Sequence, residues 1–385
     1  MALKRSLRTL GAVTAVGVLL LTTALTAHAD AARNKQWALQ AFKAQQRIWP
    51  LSTGKGVVVA VIDSPIRVTH LDLTGQLLVG KDFASSSAPA VASDGHGTMV
   101  ASLIAGRGHG PNQADGIMGL APSAKILPLT VNVKAAGIYQ QISDAIRFAV
   151  DHGAGVINIS LGGVGKDIAE QSAVAYAESN NVVVVAGSGN DGADAICYPA
   201  AFPGVVAVGG AAEDGSIWAE SNRGPGLVLV APSTGILGDD SGTDSQYSLG
   251  NGTSYATAYV SAAAALVRAK FPGLTAGQVI NRLVKTARDP NAVAGQTTPD
   301  PHYGYGILRP DAALNTTMAA GPAAGPLPQV SDPLAGGVKG NSAAVKQGGS
   351  SGIGAGAAAV GGVVLLALVA AMAVGVSRRR RRSRA

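Results

Sequence analysis

Ser254 stands in Gly250-Asn251-Gly252-Thr253-Ser254-Tyr255-Ala256-Thr257-Ala258, where a glycine-rich turn runs into an alanine-rich stretch. Residues 256–269 carry a single charge, Arg268. The stretch is too short to cross a membrane and apolar all round, so it predicts a helix buried in a globular core. A serine at the start of that helix faces unpaired N–H groups and the positive end of the dipole, which favour negative charge. A nucleophile in acyl transfer needs such a place. The plain alternative is a helix N-cap serine with no chemistry. Two further residues share this double character. Asp63 ends the apolar run Val57-Val58-Val59-Ala60-Val61-Ile62, where a carboxylate must find a partner or carry a desolvation penalty. His96 sits between glycines in Asp94-Gly95-His96-Gly97-Thr98-Met99-Val100-Ala101 and opens a helix-like apolar run. Read singly, Asp63 begins a turn and His96 caps a helix.

The elements around these residues predict an α/β architecture. The run at 57–62 is short and β-branched, which predicts a strand buried on both faces, as in a parallel sheet. The same texture recurs at 125–131, 156–161, 182–186 and 205–208. Between the strands, Ile142, Ala145, Ile146, Ala149 and Val150 follow helical spacing, with Gly153 as the C-terminal stop. Residues 167–180 and 275–286 predict two more helices. Strands alternating with helices imply a central, mostly parallel sheet, with functional residues gathered at the strands' carboxyl ends.

Taken together, Asp-Ser after an apolar strand, His-Gly-Thr-x-Val-Ala, and Gly-Thr-Ser-x-Ala resemble, in that order, the three signatures of subtilisin-like serine proteases. The resemblance covers roughly residues 55–314. It implies a three-layer subtilisin-like domain with a catalytic triad. Ser254 would attack the scissile carbonyl and His96 would relay the proton. Asp63 would fix the imidazole tautomer. Gly187-Ser188-Gly189-Asn190 resembles the family's oxyanion loop and implies Asn190 as a side-chain donor. Ser160-Leu161-Gly162 resembles the segment on which the substrate backbone pairs as an added strand. Residues 187–192 also spell the dinucleotide pattern G-x-G-x-x-G. The prolines and absence of helical period after it exclude that reading. The sequence departs from the family at Pro65, Tyr255 and Ala258, where glycine, methionine and proline are usual. None of the three removes a chemical group from the triad.

The ends of the chain add an address. Residues 1–29 have a basic start, an apolar run and Ala27-His28-Ala29, which predicts a secretory signal peptide. Residues 30–54 form a polar lead with Trp37 and Trp49, too short for the family's usual folded pro-domain. The catalytic domain is expected over 55–316, and a flexible Pro/Gly/Ala-rich linker over 317–353. Residues 354–376 lack charge and precede an arginine block, which predicts a C-terminal transmembrane helix with a basic cytoplasmic tail at 377–385. A sortase signal would also end this way, but Leu327-Pro328-Gln329-Val330-Ser331 lacks its Thr-Gly and lies too far upstream.

The net charge of +7 resides in these ends. Nine basic residues lie in the first ten and last eight positions, and the remaining 21 face 23 acidic ones. Nucleic acid is therefore not an implied partner. Cys197 is the one cysteine, so no intrachain disulfide forms, and a buried, inert thiol is expected. His70, His109, His152 and His302 show no metal-ligand spacing and are read as structural or surface residues. No metal or cofactor is expected. The whole layout resembles the mycosins, membrane-anchored subtilases associated with type VII secretion in actinobacteria. That resemblance implies a protein substrate, the cytoplasmic membrane and type VII secretion components as partners. A general surface subtilase and a scaffold for a secretion complex remain open alternatives.

Overall fold

Short β-branched runs become strands where the sequence predicts them. The computed structural model describes residues 30–84, 95–133, 135, 137–290 and 299–335. The segments read as signal peptide (1–29), transmembrane helix (354–376) and basic tail (377–385) lie outside the described residues, as does the linker from 336 onward. No helix among the described residues is long and apolar enough to cross a membrane.

The strands are β1 (Val58–Asp63), β2 (Lys81–Asp82), β3 (Arg107–His109), β4 (Asp115–Met118) and β5 (Lys125–Thr130). They continue with β6 (Val156–Ile159), β7 (Val183–Gly187), β8 (Val206–Ala211), β9 (Leu229–Pro232), β10 (Ile236–Asp239) and β11 (Tyr247–Gly250). Seven of them form one sheet in the order β2-β5-β1-β6-β7-β8-β9, and every pairing in it is parallel. From β1 the chain builds outward to β5 on one side and to β6 on the other. The carboxyl end of β1, occupied by Asp63, therefore lies where the strand order reverses, the place where open α/β sheets leave a crevice. β3 with β4 and β10 with β11 form two small antiparallel pairs.

The helices are α1 (Asp30–Arg33), α2 (Trp37–Ala41), α3 (His96–Ala105), α4 (Ile138–Asp151), α5 (Ile168–Ser179), α6 (Thr253–Lys270), α7 (Ala276–Thr286) and α8 (Pro310–Asn315). The alanine-rich run at 256–269 lies within α6, whose residues from Thr253 to Val267 are all buried. α6 lies on β6 to β9 with α3 and α7 against it, while α4 and α5 pack on each other and on the sheet. Side-chain caps fix the helix starts: Asp167 accepts from Glu170 N in α5, and Thr275 and Gln278 form a capping box in α7.

The lead is part of the body. Ile48 is fully buried, Trp37 Nε1 donates to the Thr234 carbonyl, and Trp49 Nε1 to that of Leu120 (both 3.0 Å). Gln36 pairs with the Met118 backbone as donor (2.8 Å) and acceptor (3.0 Å). The first part of the expected flexible linker is also seated. Asn281, Thr275 and Gln171 donate to the carbonyls of Ala320, Ala323 and Ser331, and Glu178 accepts from Val330 N. Leu327 and Val330 pack on the core. A segment of small residues exposes its carbonyls, and side chains on α5 and α7 supply the donors; composition alone hides this.

Glu170 is a buried carboxyl group without a compensating partner among the described residues. It follows the cap of α5, is 0% exposed, and neither carboxyl oxygen has a partner among the described residues. Burial, then the nearby Asp167 carboxylate, push its pKa up to about 8 from the usual 4.5. A raised folded-state pKa stabilises fully below the unfolded value and loses that contribution as pH rises through the folded one. Stability should therefore fall between pH 4.5 and about 8. Glu170→Gln, which cannot ionise, should flatten the fall and unfold at higher temperature than the parent at pH 8. Equal pH slopes in parent and variant, measured by thermal unfolding, would refute this.

Candidate active site

Asp63 closes β1 with its side chain 1% exposed. Its Oδ1 accepts from His96 Nδ1 at 2.7 Å and from Ser64 N at 2.7 Å. Asp63 Oδ2 has no hydrogen-bond partner among the described residues. The carboxylate so placed sets the imidazole tautomer, since it accepts only from a protonated Nδ1. His96 is the first residue of α3, and Gly95 in the left-handed region (φ 70°) turns the chain into the helix. The adjoining glycine is required by space. A Cβ on Gly97 would lie 2.2 Å from the Ser64 carbonyl oxygen, so any other residue would push α3, and His96 with it, away from β1.

Ser254 is the second residue of α6 and caps nothing: the N-cap is Gly252, with no side-chain bond to the helix. Its environment is a lock between α6 and the end of β6. Ser254 Oγ donates to the Ser160 carbonyl (3.1 Å), and Ser160 Oγ donates to the Ser254 carbonyl (3.0 Å). Asn158 Nδ2 donates to Ser160 Oγ, and Ser261 Oγ to Asn158 Oδ1, both at 2.9 Å. Four buried polar side chains thus fix where the helix begins. The next residue faces the histidine: the Tyr255 and His96 ring centroids are 6.0 Å apart. Tyr255, where the family has methionine, is thus a neighbour of the imidazole.

Asn190 follows β7. Its Oδ1 accepts from Thr253 N and Thr253 Oγ1, both at 2.9 Å. With the oxygen so committed, Nδ2 is the donor on the other side of the amide. Ser160, Leu161, Gly162, Gly187, Gly189, Asn190, Asp191, Cys197, Thr253 and Ser254 line one cavity. The expected site residues on β6, β7 and α6 therefore meet in one place.

Sequence reading missed Asn222 and the position of Cys197. Asn222 Oδ1 accepts from Asp191 N (2.9 Å) and Ala193 N (3.0 Å) and so holds the loop after Asn190. Cys197 is buried as expected, and burial, then the Asp191 charge, raise its pKa. It also lines the cavity beside Ser254, which no local pattern around it signals.

The histidines divide. His152 and His302 are exposed, whereas His70 and His109 join a buried carboxylate pair. His109 Nδ1 donates to Asp72 Oδ1 (2.6 Å), Ile117 N donates to Asp72 Oδ2 (2.8 Å), and His70 Nδ1 lies 2.9 Å from Asp239 Oδ2. Burial pushes Asp239 up to about 7. His70, Asp72 and Asp239 offer ligand atoms within 4.8 Å of one another, the one group of three among the described residues that could hold a metal ion. Sequence spacing concealed it, because Asp239 arrives from a distant strand. In the structure Asp72 is already engaged by donors, and the group stands as an internal ion-pair network away from the cavity at Ser254.

Residues 54–306 match the profile of the Subtilase family. Subtilisin Savinase of Lederbergia lenta is 37% identical over 262 residues, which span 68% of this chain and 91% of the relative. Fervidolysin of Fervidobacterium pennivorans is 32% identical over 327 residues, 77% of this chain. The chain spans 44% of fervidolysin's length. Among solved structures, MycP1 of Mycobacterium smegmatis superposes with a TM-score of 0.64 at 29% identity, covering 75% of this chain and 87% of MycP1. MycP1 is described as a serine protease and an essential component of the type VII (ESX-1) secretion system.

Proposed function

This chain belongs to the subtilase family of serine endopeptidases and is related to the mycosins, and we propose from that premise that Asp63, His96 and Ser254 form its catalytic triad. The observation that carries the reading is the 2.7 Å Asp63–His96 bond at the end of β1, with the His96 ring 6.0 Å from that of Tyr255, the residue after Ser254 in the buried helix. For attack, Ser254 Oγ turns from the Ser160 carbonyl toward His96 Nε2, which takes its proton as the bond to the scissile carbon forms. Asp63 holds the resulting imidazolium. The oxyanion accepts from Asn190 Nδ2 and Ser254 N, donors fixed before the reaction begins. His96 then returns the proton to the leaving amine. The backbone at half-buried Leu161 and exposed Gly162 receives the substrate as an added strand.

The finer address follows from the ends of the chain and the mycosin relation. Residues 354–376 anchor the protease in the cytoplasmic membrane with its domain outside, where it serves a type VII secretion apparatus by cleaving a protein substrate. No metal or cofactor takes part in this chemistry.

Ser254→Ala should fold normally and lose roughly 10⁴ to 10⁶-fold in hydrolysis, together with all labelling by a fluorophosphonate. Asn190→Ala should lose about 10² to 10³-fold in kcat with little change in KM. Labelling that survives Ser254→Ala would identify a different nucleophile, and full turnover by Asn190→Ala would remove the oxyanion role. Topology is a separate test. Protease added to intact protoplasts should digest the body and spare an epitope placed after Arg384; a protected body would refute the anchor.

A further inference from the structure

Thr253 holds the Asn190 amide at its oxygen, but a different segment holds the Asn190 backbone. Gly187, Gly189 and Gly192 surround this residue, and Gly189 (φ 116°) and Gly192 (φ 63°) lie in the left-handed region. Glycine lets the chain turn sharply here and leaves the turn little stiffness of its own. The stiffness comes from residues 220–223, which run beside the loop as a splint. Gly192 N donates to the Glu220 carbonyl (2.8 Å), and Arg223 N to that of Ala193 (2.9 Å). Between those two bonds Asn222 grips both neighbours of Asn190. Its N–H donates to the Gly189 carbonyl (3.0 Å), and its Oδ1 accepts from Asp191 N (2.9 Å) and Ala193 N (3.0 Å). A Cβ on Gly189 would lie 2.3 Å from Asn222 Nδ2, so the loop rests directly on the amide.

Asn222 is itself immobilised. It is 2% exposed, and its carbonyl accepts from Ser188 Oγ (2.8 Å) and Ser221 Oγ (3.2 Å). Ser221 Oγ in turn accepts from Gly210 N (2.9 Å) in β8. Asn222 Nδ2 donates to Cys197 Sγ at 3.6 Å. The sense of the amide is fixed, because turned over it would set its NH2 against two N–H donors. These bonds tie Asn222 to the sheet and to the loop at once. From this geometry we infer that Asn222 is a positioning residue for the reaction, holding Asn190 where its Nδ2 meets the oxyanion. The inference rests on the serine-protease reading above and on the oxyanion role it gives Asn190. Asn222 acts only through the loop. Donors to a developing oxyanion work because they are fixed before the charge appears, so a donor on a loosened loop loses part of its effect. The loss falls on kcat, since the bond reaches full strength only as the oxyanion forms.

The test is kcat and KM on one peptide, per active site counted by fluorophosphonate labelling run to completion. The proteins are the parent, Asn222→Ala, Asn222→Asp, Asn190→Ala and the Asn190→Ala/Asn222→Ala double variant. Asn222→Ala should lose about 10 to 10²-fold in kcat with KM within about twofold, as when a reacting group shifts by about an ångström. Asn222→Asp keeps an acceptor for both N–H groups and should hold kcat within about threefold of the parent. In the double variant the Asn190 donor is already gone, so Asn222→Ala should add less than about threefold to the loss from Asn190→Ala. Unchanged kcat in Asn222→Ala, an equal loss in Asn222→Asp, or full multiplication of the two losses in the double variant would overturn the inference. Should Asn222→Ala fail to fold, Asn222→Ser, whose hydroxyl sits one bond short of Oδ1, must show the same selective loss of kcat or the inference falls. The two readings fail separately. Full kcat in Asn190→Ala removes the oxyanion role and this inference with it, whereas a normal Asn190→Ala loss beside an unaffected Asn222→Ala removes this inference alone.

Discussion

A helix that is apolar on every side has to be covered on every side, and in this chain that requirement places Ser254. α6 is buried from Thr253 to Val267, under it the parallel strands β6 to β9 and beside it α3 and α7. Burying so many apolar side chains contributes far more than any one polar contact near its end. The small residues let the helix approach the sheet closely, and the polar lock from Ser261 through Asn158 and Ser160 sets its position along its axis. The start of the helix thus meets the carboxyl ends of β6 and β7, where Ser160 and Asn190 stand. α3 packs against both α6 and β1, so the same constraint brings His96 to Asp63. The site follows from where the core can close.

Polarity elsewhere in the interior holds the periphery. The His70–Asp239 and His109–Asp72 contacts join the segment after β1, the β3–β4 pair and β10. Unlike the glutamate of α5, these carboxylates have partners, which reduces the cost of burying them. The lead and the segment after α8 act as straps: the lead donates from its side chains to carbonyls of the body, and the later segment accepts at its own carbonyls from side chains of the body. Neither strap supplies a group to the cavity at Ser254.

Much of this was legible in the sequence because local chemistry and fold agreed. The β-branched runs became β1, β5, β6, β7 and β8, and the serine run became a buried helix, since both signals depend only on texture and length. The two-residue strand β2 and the antiparallel pairs escaped, because they are short and set by tertiary contact rather than propensity. Asp63, His96 and Ser254 could be singled out as each sits at a punctuated element end. Asn222 and Cys197 could not: one acts through its amide on a loop 29 to 31 positions away, the other lines the cavity at Ser254. Over residues 317–335 the Pro/Gly-rich composition goes with a chain free of helix and strand, but it does not exclude a seated coil.

The central claim is that the resting Ser254 hydroxyl, now bonded to the Ser160 carbonyl, turns to a histidine already oriented by Asp63. A crystal structure of the protein with a peptide boronic acid tests it most directly. The account predicts a covalent bond from Ser254 Oγ to boron and His96 Nε2 within about 2.6–3.2 Å of that oxygen. It also predicts Asn190 Nδ2 about 2.7–3.1 Å from the boronate oxygen in the oxyanion position. A boron bonded elsewhere, or an adduct at Ser254 with the Asp63–His96 bond broken and Asn190 turned away, would contradict it.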